Sequence, residues 1–545
     1  MLQTTTTTTN TTILTTITIT SYALVGFVQG AAVGLSNNFC FYSFHGDPNT
    51  CINATNIVNI PWNLKFFYAW CTDSYKPMGY RRRPYMVIGW VCVLIFTFIL
   101  ACISGKLQSN PNGAVIWILF GFLIQAFLIL ADVVADGFSV EIGSHELYHE
   151  RGVVLITGQI IRFWCSIGAG FLQAFFMNGP DTNPSNCIID ASNCWSWGMD
   201  VSQFYWFSFF VVLVGLIPIL YLKELVPSKD VVDHTFNEHI HLFWETLQNR
   251  TTYYMLIYAC LGSTFAAMSS SASTLLQYEV LQLSNLQSGI DAITTNLTLL
   301  CGIFLFRKYL LNYNWRVTQY ASSIILAIFG LLFLFAYNNV GGLLNAWFTI
   351  FINLSQAFAG GITQVLYGVT VIEIAKVGQE AITYELIISA HNAASTVSTA
   401  IATQFLGVTN SLPCTPSIDF PSTCLNSSVI GGPTSCASNT VNVNSICTFE
   451  GTGGPRKFSD NAWLIFGINI IGLLLFTQYL PSTKAECQEW KEKGETSTGF
   501  PTRRQTGFFS LILASFIIIY GVITSVALLD PKTACLPAFG GSGCY

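Results

Sequence analysis

Thirteen apolar stretches of about twenty residues each recur along this chain between residues 20 and 529. They fall at 20–40, 54–72, 84–104, 114–138, 152–177, 203–223, 251–271, 286–306, 317–337, 343–370, 381–408, 461–480 and 507–529. A helix of that length crosses the hydrocarbon core of a bilayer, and a helix satisfies its own backbone polar groups there. The sequence therefore predicts an all-α, polytopic membrane protein. Charge agrees with this: only 9% of the 545 residues are charged, against 52% hydrophobic, where a soluble domain carries about 25% charged residues. The deficit covers the whole length, which excludes a soluble protein with one anchor. The net charge of −5 gives no basic excess, so no nucleic-acid partner is expected.

Lys and Arg orient the spans. With the N-terminus on the inner side, the inner loops hold 17 of them, the outer loops hold Lys106, Arg456, Lys457 and Lys532, and Lys65 and Arg162 lie inside spans, which accounts for all 23. Ten of the 17 cysteines then fall in or beside outer segments. An even number on the oxidising side suggests disulfides: Cys187 with Cys194 as a local bridge, and Cys414, Cys424, Cys436 and Cys447 stapling the long loop 409–460. The sequons at Asn53 and Asn426 are outer glycosylation candidates. These features point to the plasma membrane or another membrane of the secretory pathway. Residues 1–19 are Thr-rich without a basic leader, and read as a disordered polar tail rather than a signal peptide.

Charged motifs punctuate the spans. The second ends in Lys65-Phe-Phe-Tyr-Ala-Trp-Cys-Thr-Asp73 and runs through Gly79-Tyr80-Arg81-Arg82-Arg83-Pro84. The fourth ends in Asp132-Val-Val-Ala-Asp136-Gly-Phe-Ser-Val-Glu141. The fifth carries Gly158-Gln159-x-x-Arg162-Phe-Trp164, and the eleventh Gly378-Gln-Glu380, Tyr384-Glu385 and Ser389-x-x-Asn392. The first string resembles the loop signature of major facilitator proteins, and all four in order resemble the folate–biopterin transporter family over residues 21–480. The Ala-Arg pair that usually closes the paired-Asp motif is absent; Ile142 and Gly143 follow Glu141. The resemblance implies two six-helix bundles, at 20–224 and 251–480, joined by a cytoplasmic linker at 225–250. A cytoplasmic loop at 481–505 and a thirteenth helix with an outer tail at 506–545 follow. It also implies a carrier of folate- or biopterin-like molecules; the paired acids Asp132 and Asp136, whose like charges raise at least one pKa, make protons the expected coupling ion.

Depth separates the buried charges into two groups. At a rise of about 1.5 Å per residue, Asp132 lies about 27 Å below the outer start of the fourth span, close to the inner boundary. Asp136, one turn on, shares its face. With Asp73, Arg81, Arg82, Arg83, Glu141, Glu380 and Glu385 they form the expected coupling and gating set. For Asp132 and Asp136 the alternative is a structural latch to the loop arginines. Arg162 lies about 15 Å into the fifth span, and Lys65 at a similar depth. Cations there are costly without a partner or cavity and suit an anionic substrate, which a guanidinium grips with two hydrogen bonds; the alternatives are a buried salt bridge for Arg162 and a snorkelling side chain for Lys65. His391 and Asn392 complete the expected substrate-binding set, with helix–helix hydrogen bonding as their alternative.

No phosphate-binding loop, nucleophile motif or His/Cys metal cluster stands out, so neither an enzyme nor a cofactor or metal is expected. A monomer in the lipid bilayer is expected. Two other readings remain open at this level: a carrier of another metabolite such as S-adenosylmethionine, and a non-transporting receptor or scaffold that uses the 409–460 loop.

Overall fold

The computed structural model describes residues 18–31, 39–44, 54, 57–110, 112–177, 179, 195–221, 236–266, 268, 285–337, 345–375, 378–409, 440–443, 446–449, 454–496 and 502–527. Almost all of them are helical. In chain order the helices are α1 (18–31), α2 (Ile60–Asn63), α3 (Lys65–Ser74), α4 (Arg83–Leu107), α5 (Gly113–Ser144), α6 (Val153–Phe176), α7 (Val201–Leu220) and α8 (Phe236–Leu247). They continue with α9 (Arg250–Ile257), α10 (Asn285–Leu305), α11 (Trp315–Tyr337), α12 (Ala346–Ile374), α13 (Glu380–Thr409), α14 (Gly454–Phe476), α15 (Lys484–Thr496) and α16 (Arg503–Ala527). Local chemistry sets several starts. Pro sits in the first turn of α4, where its missing N–H costs nothing. Asp200 forms a capping box with Gln203 at α7, and Asn249 and Asn345 cap α9 and α12.

Among the described residues, eight helices are long and apolar enough to cross a membrane, and Trp463–Tyr479 with Lys484–Lys493 adds a pair bent by 65°. The remaining expected spans are less regular. The second is broken at Leu64 into α2 and α3. The seventh runs from α9 through a π-turn at Tyr258–Gly262. The eleventh, α13, is continuous but rich in polar groups. The expected linker 225–250 contains α8, and the expected loop 481–505 contains α15. Both are amphipathic or charged helices rather than bare connections. In the 409–460 loop, Thr440–Val443 pairs antiparallel with Ile446–Phe449, which carries Cys447.

The apolar interior forms two main clusters. One gathers α1, α4, α5 and α7 around Tyr22, Trp90, Leu128 and Phe204. The other gathers α9 to α13 around Tyr258, Phe306, Trp315 and Tyr367, and it recruits Leu155, Ile156 and Ile160 of α6. Helix α6 thus belongs by sequence to the first half but packs into the second. Small residues allow this: a Cβ on Gly289 of α10 would lie 2.5 Å from the Ala174 backbone of α6.

Cys71, Cys92, Cys102, Cys165, Cys260, Cys301 and Cys487 are free thiols, the seven cysteines that the sequence leaves out of the outer segments. Cys40 is disulfide-bonded. Asn53, Asn426, Cys187, Cys194, Cys414, Cys424 and Cys436 lie outside the described residues.

Candidate functional site

The break at Leu64 starts a new helix inside the second span, and a helix start leaves backbone N–H groups without intrahelical partners. The hydroxyl of Ser389 on α13 takes one of them, accepting from the Phe66 N–H at 2.8 Å. It is one rung of a polar seam along the whole α2–α3/α13 contact. Asp73 accepts from the Ile382 N–H at 3.1 Å, and Lys65 pairs with Glu385 at 3.1 Å. Asn392 donates to the Trp62 carbonyl at 3.2 Å, and Asn63 donates to Thr396 at 3.3 Å. The α13 positions are 382, 385, 389, 392 and 396, one stripe at three- and four-residue steps.

The centre of that seam is a buried charge cluster. Lys65 Nζ lies 2.9 Å from Asp132 Oδ2, 2.9 Å from Asp136 Oδ2 and 3.1 Å from Glu385 Oε1. Arg162 pairs with the other oxygen of Asp132 and donates to Gln159 at 3.3 Å. The Tyr22 hydroxyl donates to Asp136 at 2.6 Å. The Arg162 guanidinium lies 5.1 Å from the Tyr22 ring centre and 5.9 Å from that of Trp62, and Lys65 lies 5.3 Å from Trp62. All five charged side chains are buried. Two cations face three carboxylates, so the cluster carries one negative charge when every group is ionised.

This arrangement corrects the division by depth. Asp132 and Asp136 share one site with Lys65 and Arg162. The reason is helix length. Helix α5 continues to Ser144, beyond the expected end at 138, so Asp132 sits about 18 Å from its inner end. Arg162 is about 14 Å from the start of α6, nearly the same level. Each cation already has carboxylate partners. The expected set of four also divides. Asn392 is spent on the seam. His391 faces away from it, with Nδ1 2.7 Å from the Ser263 hydroxyl, whose other neighbour is the Tyr367 hydroxyl at 2.8 Å.

A second charged group closes the end of the seam that carries the loop arginines. Arg81 pairs with Asp73 at 2.8 Å and Glu380 at 3.1 Å, and donates to the Gly378 carbonyl at 2.7 Å. Arg82 pairs with Glu141 at 2.9 Å and Glu380 at 3.4 Å. Gly378 sits at φ +87°, a conformation that suits glycine and lets its carbonyl meet Arg81. Burial works against the Arg81 charge, but Asp73, Glu380 and Glu141 outweigh it and hold its pKa above the usual arginine range. Arg83 is half-buried, lies over the Tyr80 ring and donates to the Leu220 carbonyl at 3.4 Å. The sequence expectation did not include a further latch on the same side. Arg151 pairs with Glu373 at 3.0 Å, Gln488 of α15 donates to Glu373 at 2.8 Å, and Lys484 reaches the Tyr148 and Arg151 carbonyls. Its acid, Glu373, ends an apolar span, and its partners are far away in sequence, so only their shared side of the membrane was visible. Tyr22 was missed for the same reason.

The sequence profile of the BT1 family matches residues 26–417. A stretch of 113 residues is 29% identical to Folate transporter 1 of Plasmodium falciparum, covering 20% of this chain and 21% of that protein. Among solved structures, a proton:xylose symporter bound to 6-bromo-6-deoxy-D-glucose superposes with a TM-score of 0.55 at 12% identity, over 89% of this chain and 99% of its own. The Escherichia coli xylose transporter in a partially occluded inward-open conformation gives 0.51 at 12%, over 87% and 98%. A major facilitator transporter, FucP, in an outward conformation gives 0.50 at 12%, over 85% and 98%. At that identity the solved structures establish the fold alone. The family profile covers well over half of the chain, and on that match and this fold the chain belongs to the BT1 family of folate–biopterin transporters, multi-pass membrane proteins of the major facilitator fold.

Proposed function

We propose that this membrane transporter is a proton-coupled secondary carrier that moves a small anionic metabolite, in the first place a folate- or biopterin-like pterin, by alternating access. The observation that carries this reading is the buried cluster of Lys65, Arg162, Asp132, Asp136 and Glu385. Its cations can bind a substrate carboxylate only if their present partners let go, and a proton on one carboxylate has that effect. One proton brings the cluster from −1 to neutral, and a monoanion returns it to −1. Proton and anion therefore favour each other's binding, because each offsets the charge that the other adds in a low-dielectric site. Transporter sites lie near the bilayer midplane at the interface between halves, which suits the position of the cluster on the α3/α13 seam. The latch of Asp73, Arg81, Arg82, Glu141 and Glu380 would gate one side. Lys65 and Arg162 would hold the anion, and Asn392 and His391 are left to helix contacts and to a separate cavity.

A cationic cargo such as S-adenosylmethionine is the second reading, favoured by the same excess of carboxylates. Uptake of labelled folate, biopterin and S-adenosylmethionine by a transport-null strain, measured across pH, distinguishes the two. The proton-coupled anion carrier predicts folate or biopterin uptake that rises as external pH falls and loses this dependence in Asp132→Asn. Uptake that ignores pH and is unchanged in Asp132→Asn would sink the coupling. Flux of S-adenosylmethionine alone would establish the second reading.

A further inference from the structure

Helix α10 carries a single charged side chain, Asp291. It lies six positions on from Asn285, about 9 Å along the axis, which is beyond the first turn where a helix start favours an acid. The side chain is half-buried, and its polar neighbours are neutral. The Thr295 hydroxyl donates to Asp291 Oδ1 at 3.4 Å, and the Asn353 side chain of α12 shares a hydrogen bond with the same carboxylate. Among the described residues no Lys, Arg or His pairs with Asp291.

Helix α10 packs chiefly against α6 and α12. Beside Asp291, Gly170 of α6 lies against Ala292 and Ile293, and Gly289 lies against Ala174 of α6. The titratable or charged groups on the three helices, apart from Asp291, are Arg162 and Cys165 of α6, Cys301 of α10, and Tyr367 and Glu373 of α12. Arg162 is held by Asp132, Glu373 by Arg151, and Tyr367 meets Ser263; both cysteines are free thiols. Arg307 and Lys308 follow α10 at its other end, about 24 Å or more of rise from Asp291. An ionised Asp291 therefore has no countercharge on the helices around it, which is costly inside a bilayer.

Asn353 also lines a cavity of about 290 Å³ inside the second half, bounded by the turn after α9 and by α11, α12, α13 and α14. Gln319, Gln356 and Asn469 bring further side-chain oxygens to its wall, and no Asp, Glu, Lys or Arg lines it. Asn469 donates to the Met268 carbonyl at 3.1 Å, which leaves its own Oδ1 buried with no partner. A cation in this cavity meets neutral oxygens, and next to Asn353 it meets one carboxylate. The geometry points to a binding site for a small monovalent cation at Asp291, with Thr295 and Asn353 as its neutral ligands and the cavity as its way in. A proton and an alkali ion share this chemistry, since either one neutralises the carboxylate. The site is built from α10 and α12, not from the helices that hold the Lys65 cluster, and the stability of purified protein tests it without any flux.

The full-length chain in lipid nanodiscs would be melted beside Asp291→Asn, which keeps hydrogen-bonding capacity at this position and removes the charge. The starting condition is choline chloride at about pH 8, where a carboxylate is normally ionised. Three arms then change one variable each: sodium chloride for choline chloride, potassium chloride for choline chloride, and a fall to about pH 5.5 in choline chloride. Asp291→Asn should melt higher than the unsubstituted protein in the starting condition, and at least one arm should close that gap. Closure by sodium or potassium identifies an alkali ion, and closure by acid identifies a proton. Acid acts on the Lys65 cluster in both proteins alike, so the gap between them isolates Asp291. Asp291→Ser takes the place of Asp291→Asn if that variant fails to fold. A folded variant that melts no higher in the starting condition, or a gap that no arm closes, would overturn the site.

Discussion

Replacing Lys65 by Met keeps the stem of the side chain and removes the one charge that three carboxylates share at 2.9, 2.9 and 3.1 Å. The variant cluster would hold Arg162 against Asp132, Asp136 and Glu385, two negative charges in excess instead of one. Loss of one partner from a buried pair costs about 3–5 kcal/mol, and the Lys65→Met loss should fall in that range. The cost should be conditional on the acids. Adding Asp136→Asn to Lys65→Met restores the original net charge, and Tyr22 can still donate to the remaining carbonyl oxygen. The double variant should therefore recover about 1–3 kcal/mol, within the range for directly touching groups. Denaturation of the purified single and double variants in detergent, with expression level as a second readout, completes the cycle. Additive effects, to within about 0.5 kcal/mol, would refute the claim that Lys65 and Asp136 stabilise the fold through each other.

Three other outcomes follow from particular contacts. Glu380→Gln removes the acid shared by Arg81 and Arg82 and should weaken that latch by about 1–3 kcal/mol, read as faster hydrogen exchange in 73–83 and 378–385; unchanged exchange would remove Glu380 from the latch. Gly26→Ala would drive a Cβ into the Arg162 carbonyl, forcing α1 and α6 apart at a cost of about 1–3 kcal/mol or more. Folded yield should fall, and a normal yield would mean that this approach is looser than described. Glu486 has a pKa below its ordinary value of 4.5: burial raises it, but hydrogen bonds from Ser482 and the Arg316 charge prevail. A depressed carboxylate stabilises above its unfolded value and loses that contribution as pH falls through the folded one, so protection of the α15–α11 contact should persist at neutral pH and be lost below about pH 4.5. Protection that is flat over that window would detach Glu486 from the contact.

The sequence by itself determined the class of the molecule, because composition and span length answer to the bilayer and not to tertiary contacts. Twenty apolar residues have to be helical in lipid wherever they pack, and loop charge sets their direction. Local strings such as Asp73 to Pro84 also identified the family and the Arg81–Arg82 latch, since those partners lie near helix ends whose side of the membrane could be counted. The true end of α5 was not legible, because Gly143 and Ser144 end the helix no more audibly than Gly137 and Ser139, which it runs through. The shorter expected helix set Asp132 and Asp136 nearer the inner boundary than Lys65 and Arg162. Only the tertiary structure joined them to Lys65 and Arg162, because ion pairing in a low-dielectric interior draws together charges from four helices that carry no mutual signal in the chain. The α13 stripe at 382, 385, 389, 392 and 396 was present in the sequence as a period. What it faced became visible only in the fold, where the helix broken at Leu64 sets the Phe66 N–H, the Trp62 carbonyl and the Asn63 and Lys65 side chains against it.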